Sequence, residues 1–164
     1  MPVANPKELF ITLLSNVRQQ VERSSKIYSE LGDLAQNSEI KEALEARKLI
    51  ASQDLQRMDE CFKIIGANPV KTTGKLQETW LEDFRKELGE IQSPVARRVF
   101  ILAKASHLLH LQMAEYIALI TVADTIGHPG VGVLLESCMS DKATFMERTR
   151  RLIRYHLEQK MATA

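Results

Sequence analysis

His107 and His110 are the pair of side chains in this chain most suggestive of chemistry. Three residues apart on a helix, they share one face and can chelate a metal ion. Two imidazoles do not make a site, so further ligands must come from other segments. Asp54 and Asp141 are the candidates. Each falls on an otherwise apolar helical stripe, and a buried carboxylate needs a partner. Gln112 is a poor metal ligand and a good hydrogen-bond partner, which gives it a supporting role. A metal, if one is held, would therefore use Asp54, His110 and Asp141, with Gln112 beside them. The same residues also read as a structural network in which the two carboxylates pair with His110, Gln112 or Arg47. The sequence favours that second reading, with no catalytic residue and no cofactor.

Other chemistry is thin. The chain has no glycine-rich phosphate loop, no Cys-x-x-Cys and no nucleophile elbow. Cys61 and Cys138 sit in apolar periodic segments and read as buried thiols of a reducing cytoplasm. The last helical segment is locally basic, with Arg148, Arg150, Arg151, Arg154 and Lys160. Glu147, Glu158 and Asp141 interrupt it, and the Glu147–Arg151 spacing suits a solvated face.

These residues must be positioned by helices. The chain has 164 residues, and 22 Lys and Arg against 21 Asp and Glu leave a formal charge of +1. That near balance argues against a nucleic-acid binder. One domain over residues 1–164 is the expectation, with no secretory leader and no apolar run long enough for a bilayer. Asn5-Pro6 opens a stripe of Phe10, Leu14, Val17, Val21, Ser24, Tyr28 and Leu31, closed by Gly32. Ser38 caps a second stripe, Ile40 to Ile65, closed by Gly66. After the turn-forming stretch 67–74, a shorter amphipathic helix runs from Lys75 to Ile91. Ser93-Pro94 starts a third long helix, reaching Gly127. The last runs from Val131 to Gln159 with Leu134, Cys138, Asp141, Phe145, Leu152 and His156 on its stripe.

Short turns near 32–38 and 127–131 imply two antiparallel hairpins. The intervening 66–93 segment is long enough to cross the bundle. The expected fold is all-α: a ferritin-like four-helix bundle whose long crossover contains an extra short helix. Its di-iron version needs Glu-x-x-His on two helices. The residues three before the four histidines are Lys104, His107, Thr125 and Ile153, none acidic, which argues against a carboxylate-bridged di-iron centre. Trp80, Leu81 and Phe84 on the crossover read as a face packed on the bundle or as part of a dimer contact.

Lys7-Glu8-Leu9-Phe10-Ile11-Thr12-Leu13-Leu14-Ser15-Asn16 resembles the opening helix of the YciE/YciF family of bacterial ferritin-like proteins. Leu55-Gln56-Arg57-Met58-Asp59, Tyr116, Ile126-Gly127-His128 and Leu134-Leu135-Glu136 extend the resemblance over about residues 7–155. It implies a ferritin-like bundle, commonly dimeric, with acidic and histidine residues for a two-metal centre in many members. At the matching positions this chain has Val21 or Gln20, Ile50, Asp54, Leu109-His110-Leu111-Gln112 and Ser137 to Lys142. Only Asp54 and Asp141 remain acidic there. Hydrocarbon in place of carboxylates suits a metal-free core, because a di-metal centre needs anions to offset its charge.

The expected function is that of a non-catalytic, stress-related structural protein of the cytoplasm with a degenerate metal site. Its expected partner is a second copy of itself, with no nucleic acid and no membrane. The alternatives are an iron- or manganese-binding protein with the unusual ligand set above, and a small-molecule binder in a cavity near Val21, Ile50 and Leu109.

Overall fold

The computed structural model describes the backbone of residues 3–162 and the side chains up to Gln159, so Lys160 of the basic segment lies outside the described side chains. Five helices follow one another: α1 (Pro6–Leu34), α2 (Ser38–Ile65), α3 (Lys75–Glu90), α4 (Pro94–Thr125) and α5 (Pro129–Ala162). Among the described residues there is no strand, and no helix is long and apolar enough to cross a membrane.

The cap-then-proline pattern works as expected at α1 and α4. The Asn5 side chain accepts from the Glu8 N–H at 2.9 Å, and Ser93 accepts from that of Ala96. At α2 the cap is Asn37 rather than Ser38, because its side chain reaches the Ile40 N–H at 3.0 Å. Gly66 closes α2 in the left-handed conformation, φ 64°, which a glycine adopts without a Cβ penalty. Gly32 does not end α1. It is buried against Lys41 and Leu44 of α2, and the helix runs on to Leu34 so that Ala35 also joins the core. His128-Pro129 starts α5 two residues earlier than expected, by the same proline logic.

Around the bundle the order is α1, α2, α5, α4, each helix packed on its two neighbours. Pairings fix the directions: Gln20 faces Glu115 and Ser24 faces Gln112, so α1 and α4 are antiparallel. Asp54 faces Lys142, and Arg57 faces Asp141, so α2 and α5 are antiparallel too. The crossover climbs the flank of α1. Val70 N–H bonds Ser15 Oγ, Gln77 reaches Gln20, and Arg85 bonds Glu30. Thus α3 runs parallel to α1 and returns the chain to the end from which α4 descends.

Trp80 and Phe84 are buried in this packing, their rings stacked at 5.5 Å, with Phe100 of α4 continuing the stack at 5.8 Å. They fasten α3 to the bundle, and both rings are covered by the chain itself. The core has two apolar clusters. One gathers Tyr28, Leu31, Leu44, Phe84, Leu102, Leu109 and Phe145, the other Phe10, Leu14, Val21, Met58, Tyr116 and Leu135. Ser24, Arg47, Gln112 and Lys142, all buried and polar, fall between the two clusters along their helices.

Candidate functional site: a polar layer at mid-bundle

Asp54 is the centre of the layer on the α2–α5 side. It is wholly buried and takes three cationic donors: Arg47 Nη2 at 3.0 Å, Arg57 Nη1 at 3.0 Å and Lys142 Nζ at 2.8 Å. Arg47 and Lys142 are themselves 1% and 0% exposed. Arg57 also donates to Asp141 at 2.6 Å, and Asp141 is one-third exposed. Three cations therefore face two carboxylates. Two tyrosine rings help carry the excess: Arg47 lies over Tyr28 at 5.8 Å and Lys142 over Tyr116 at 4.7 Å. Burial pushes the Lys142 ammonium below its ordinary range while Asp54 pulls it back up. Burial pushes the Tyr116 phenol well up.

Cys138 stands one turn before Lys142 on α5, and Cys61 on α2; both are buried and unbridged. Burial pushes each thiol up to about 12, and the Asp54 carboxylate adds to the effect at Cys138. Thiols held protonated in this way are neither nucleophiles nor ready metal ligands.

On the α1–α4 side the layer is built from amides and a hydroxyl. Ser24 Oγ donates to Gln20 O at 2.6 Å and accepts from Gln112 Nε2 at 2.7 Å and Gln77 Nε2 at 3.2 Å. Gln20 Nε2 bonds both oxygens of Glu115 at 3.0 Å. Burial raises the Glu115 carboxyl above its ordinary range, and the Gln20 bond partly offsets this.

The structure does not bring the sequence-derived ligand set together. Asp54 and Asp141 meet through Arg57. His110 is on the outer face of α4, bonded through Nδ1 to the carbonyl of Ser106 at 2.8 Å, and His107 is exposed beside it. Gln112 points inward to Ser24 rather than to Asp54. Of the partners expected for Asp54, only Arg47 is one. Among the described residues, no three His, Cys, Asp or Glu side chains are grouped to hold a metal ion. The donor chemistry does not fit the two-metal centre that the resemblance implies, because the acceptors of Asp54 are taken by protein cations. Val21 and Leu109 are apolar and buried in different clusters, and Ile50 is half-buried, so these three do not frame one cavity.

Sequence reasoning missed Lys142, Arg57 and Gln77. Lys142 was legible in principle. Cys138, Lys142, Phe145, Thr149, Leu152 and His156 make the buried stripe of α5 by steps of four, three, four, three and four. Counting three first from Cys138 gives Asp141 instead, an equally helical step.

The structure is similar to solved proteins of the same shape. The stress protein YciF of E. coli aligns with a TM-score of 0.87 at 18% identity, covering 94% of this chain and 98% of that one. YcfI of Rhodopseudomonas palustris, described as a proposed structural protein, aligns at 0.85 and 18% identity, covering 90% and 94%. A protein of Xanthomonas campestris pv. campestris aligns at 0.71 and 14% identity, covering 96% and 99%. No curated protein matches the chain. The solved structures share its helical fold, and YciF among them agrees with the resemblance read from the opening helix. A family model matches residues 5–162, nearly the whole sequence, and the chain belongs to that family, described as a domain of unknown function, DUF892.

Proposed function

We propose that this protein is a non-catalytic, stress-related structural bundle of the ferritin-like kind, cytoplasmic and homodimeric, whose mid-core is held by its own cations rather than by metal ions. The observation that carries this is the buried Lys142 ammonium, 2.8 Å from Asp54, with Arg47 and Arg57 on the same carboxylate. A carboxylate surrounded in this way has no need of a metal to offset its charge, and a divalent ion would have to displace cations that are already buried and bonded. The names of similar proteins support the general role: one is called a stress protein, another a proposed structural one.

The outer face of α4 supports the homodimer. Its exposed residues from Ala96 to Thr121 include Ala103, His107, His110, Ala114, Ile117 and Ala118, with no Asp, Glu, Lys or Arg among them. A long helix face without formal charge suits a matching face on a second copy.

Elemental mass spectrometry tests the proposal. The protein is purified without chelator or His-tag and incubated with ferrous iron, manganese or zinc. Metal near zero per chain is the expected result. One or two ions per chain, lost in Asp141→Asn, would overturn it in favour of a metal-binding protein that uses the Asp54–Asp141 side of the layer.

A further inference from the structure

A cleft of about 190 Å³ opens between α1, α4 and the start of α3, bordered by Asn16, Gln19, Gln20, Glu115 and residues 73–77. We propose that it binds a small zwitterion of the amino-acid class, the ammonium towards Glu115 and the carboxylate towards the first turn of α3. The size suits such a ligand, since drug-sized molecules need roughly 300 Å³ or more.

Two walls of opposite electrostatic character make the argument. The inner wall offers acceptors. Glu115 is a half-buried carboxylate whose protein donor is one amide, Gln20 Nε2. That bond leaves Gln20 Oε1 without a protein partner on a residue 92% buried. Gln77, 97% buried, borders the cleft as well, and its Oε1 has no partner while its Nε2 holds Gln20 O and Ser24 Oγ. The Gln20 oxygen borders the cleft and can accept from a ligand N–H, whereas that of Gln77 is sealed beneath the surface.

The other wall offers donors. The 16-residue helix α3 begins at Gly74 with no side-chain cap, so its first N–H groups lack the partner that Asn5, Asn37 and Ser93 supply at the other helices. Lys75 adds an ammonium at the same place, and the positive end of the helix dipole favours a carboxylate. Arg23 holds this helix start against α1 by donating to Gly74 O at 2.9 Å and Glu78 at 2.8 Å. Its guanidinium occupies the space a Cβ at residue 74 would need, and φ 64° there favours glycine. Acceptors within and donors at the rim match a molecule that carries both an amine and a carboxylate.

The experiment is calorimetric titration of the full-length protein with the twenty free amino acids in turn, with methylamine and acetate as half-ligands. At least one amino acid should bind and raise the melting temperature, and neither half-ligand should match it. Glu115→Gln, nearly isosteric, should weaken binding about tenfold or more by removing the charge on the ammonium partner. Asn16→Trp should abolish it by filling the mouth. Circular dichroism checks that both variants fold, and Glu115→Gln carries the test if Asn16→Trp does not. No binding by any amino acid up to about 10 mM would overturn the proposal. So would binding indifferent to Glu115→Gln, or a half-ligand binding as tightly as the whole.

Discussion

Asp54 has no contact with solvent and three cations around it, which makes it the residue whose loss should do the most harm. Asp54→Ala leaves Arg47 and Lys142 buried without their counter-charge, and should remove about 3–5 kcal/mol of stability in urea unfolding. Lys142→Met is the contrasting change. It takes out one ammonium, keeps a side chain of similar length and leaves Arg47 and Arg57 on Asp54, so it should alter stability by less than about 1.5 kcal/mol. If both variants fall equally, Asp54 is not the centre of the network. The need for a partner at Asp54 was legible in the sequence, because a carboxylate on an apolar stripe cannot stay unpaired. Which cations answer it was not. Arg57 is half-buried and reaches across to α5, and Lys142 differs from Asp141 by a single step round the helix. A sequence read one helix at a time does not see the opposing helix that decides between them.

Among the elements, α3 depends most on a few contacts. It packs lightly on α1 and α4, and the Trp80–Phe84–Phe100 stack gives it its apolar attachment. Phe84→Ala should cost about 3–5 kcal/mol and raise hydrogen exchange across Lys75–Glu90 before the four long helices open. Uniform exchange throughout the chain would show that α3 is no separate unit. Helix starts marked by proline were easy to read, because proline at the first turn and a polar cap act locally. Gly32 misled for the opposite reason. Its small size serves the approach of α2, a tertiary demand that overrides its tendency to end a helix. Trp80 and Phe84 had two readings in sequence, bundle or dimer, and their burial leaves the first.

For the molecule as a whole, acidity should matter through His156, which sits buried towards the end of α5 with its Nε2 unpartnered. Burial lowers its proton affinity, Arg98 of α4 lowers it further, and Glu39 of α2 opposes them weakly. The unfolded chain takes up a proton as pH falls through about 6.5, while the folded one resists. Stability should therefore decline between about pH 7.5 and 5.5, and His156→Phe should flatten that part of the melting profile. The proposed dimer is tested at the same scale: the protein should sediment as a dimer, and Ile117→Glu, on the uncharged face of α4, should sediment as a monomer. The ion cluster between α2 and α5 also works as a ruler along the bundle. An apolar seam tolerates sliding by one turn, about 5.4 Å, because leucine-like surfaces fit one another in several alignments. Here such a slip would set Lys142 opposite Ile50 or Met58 and leave Asp54 facing hydrocarbon or sulfur. Each misaligned packing would bury unmatched charges of both signs, so the cluster discourages every alignment but one.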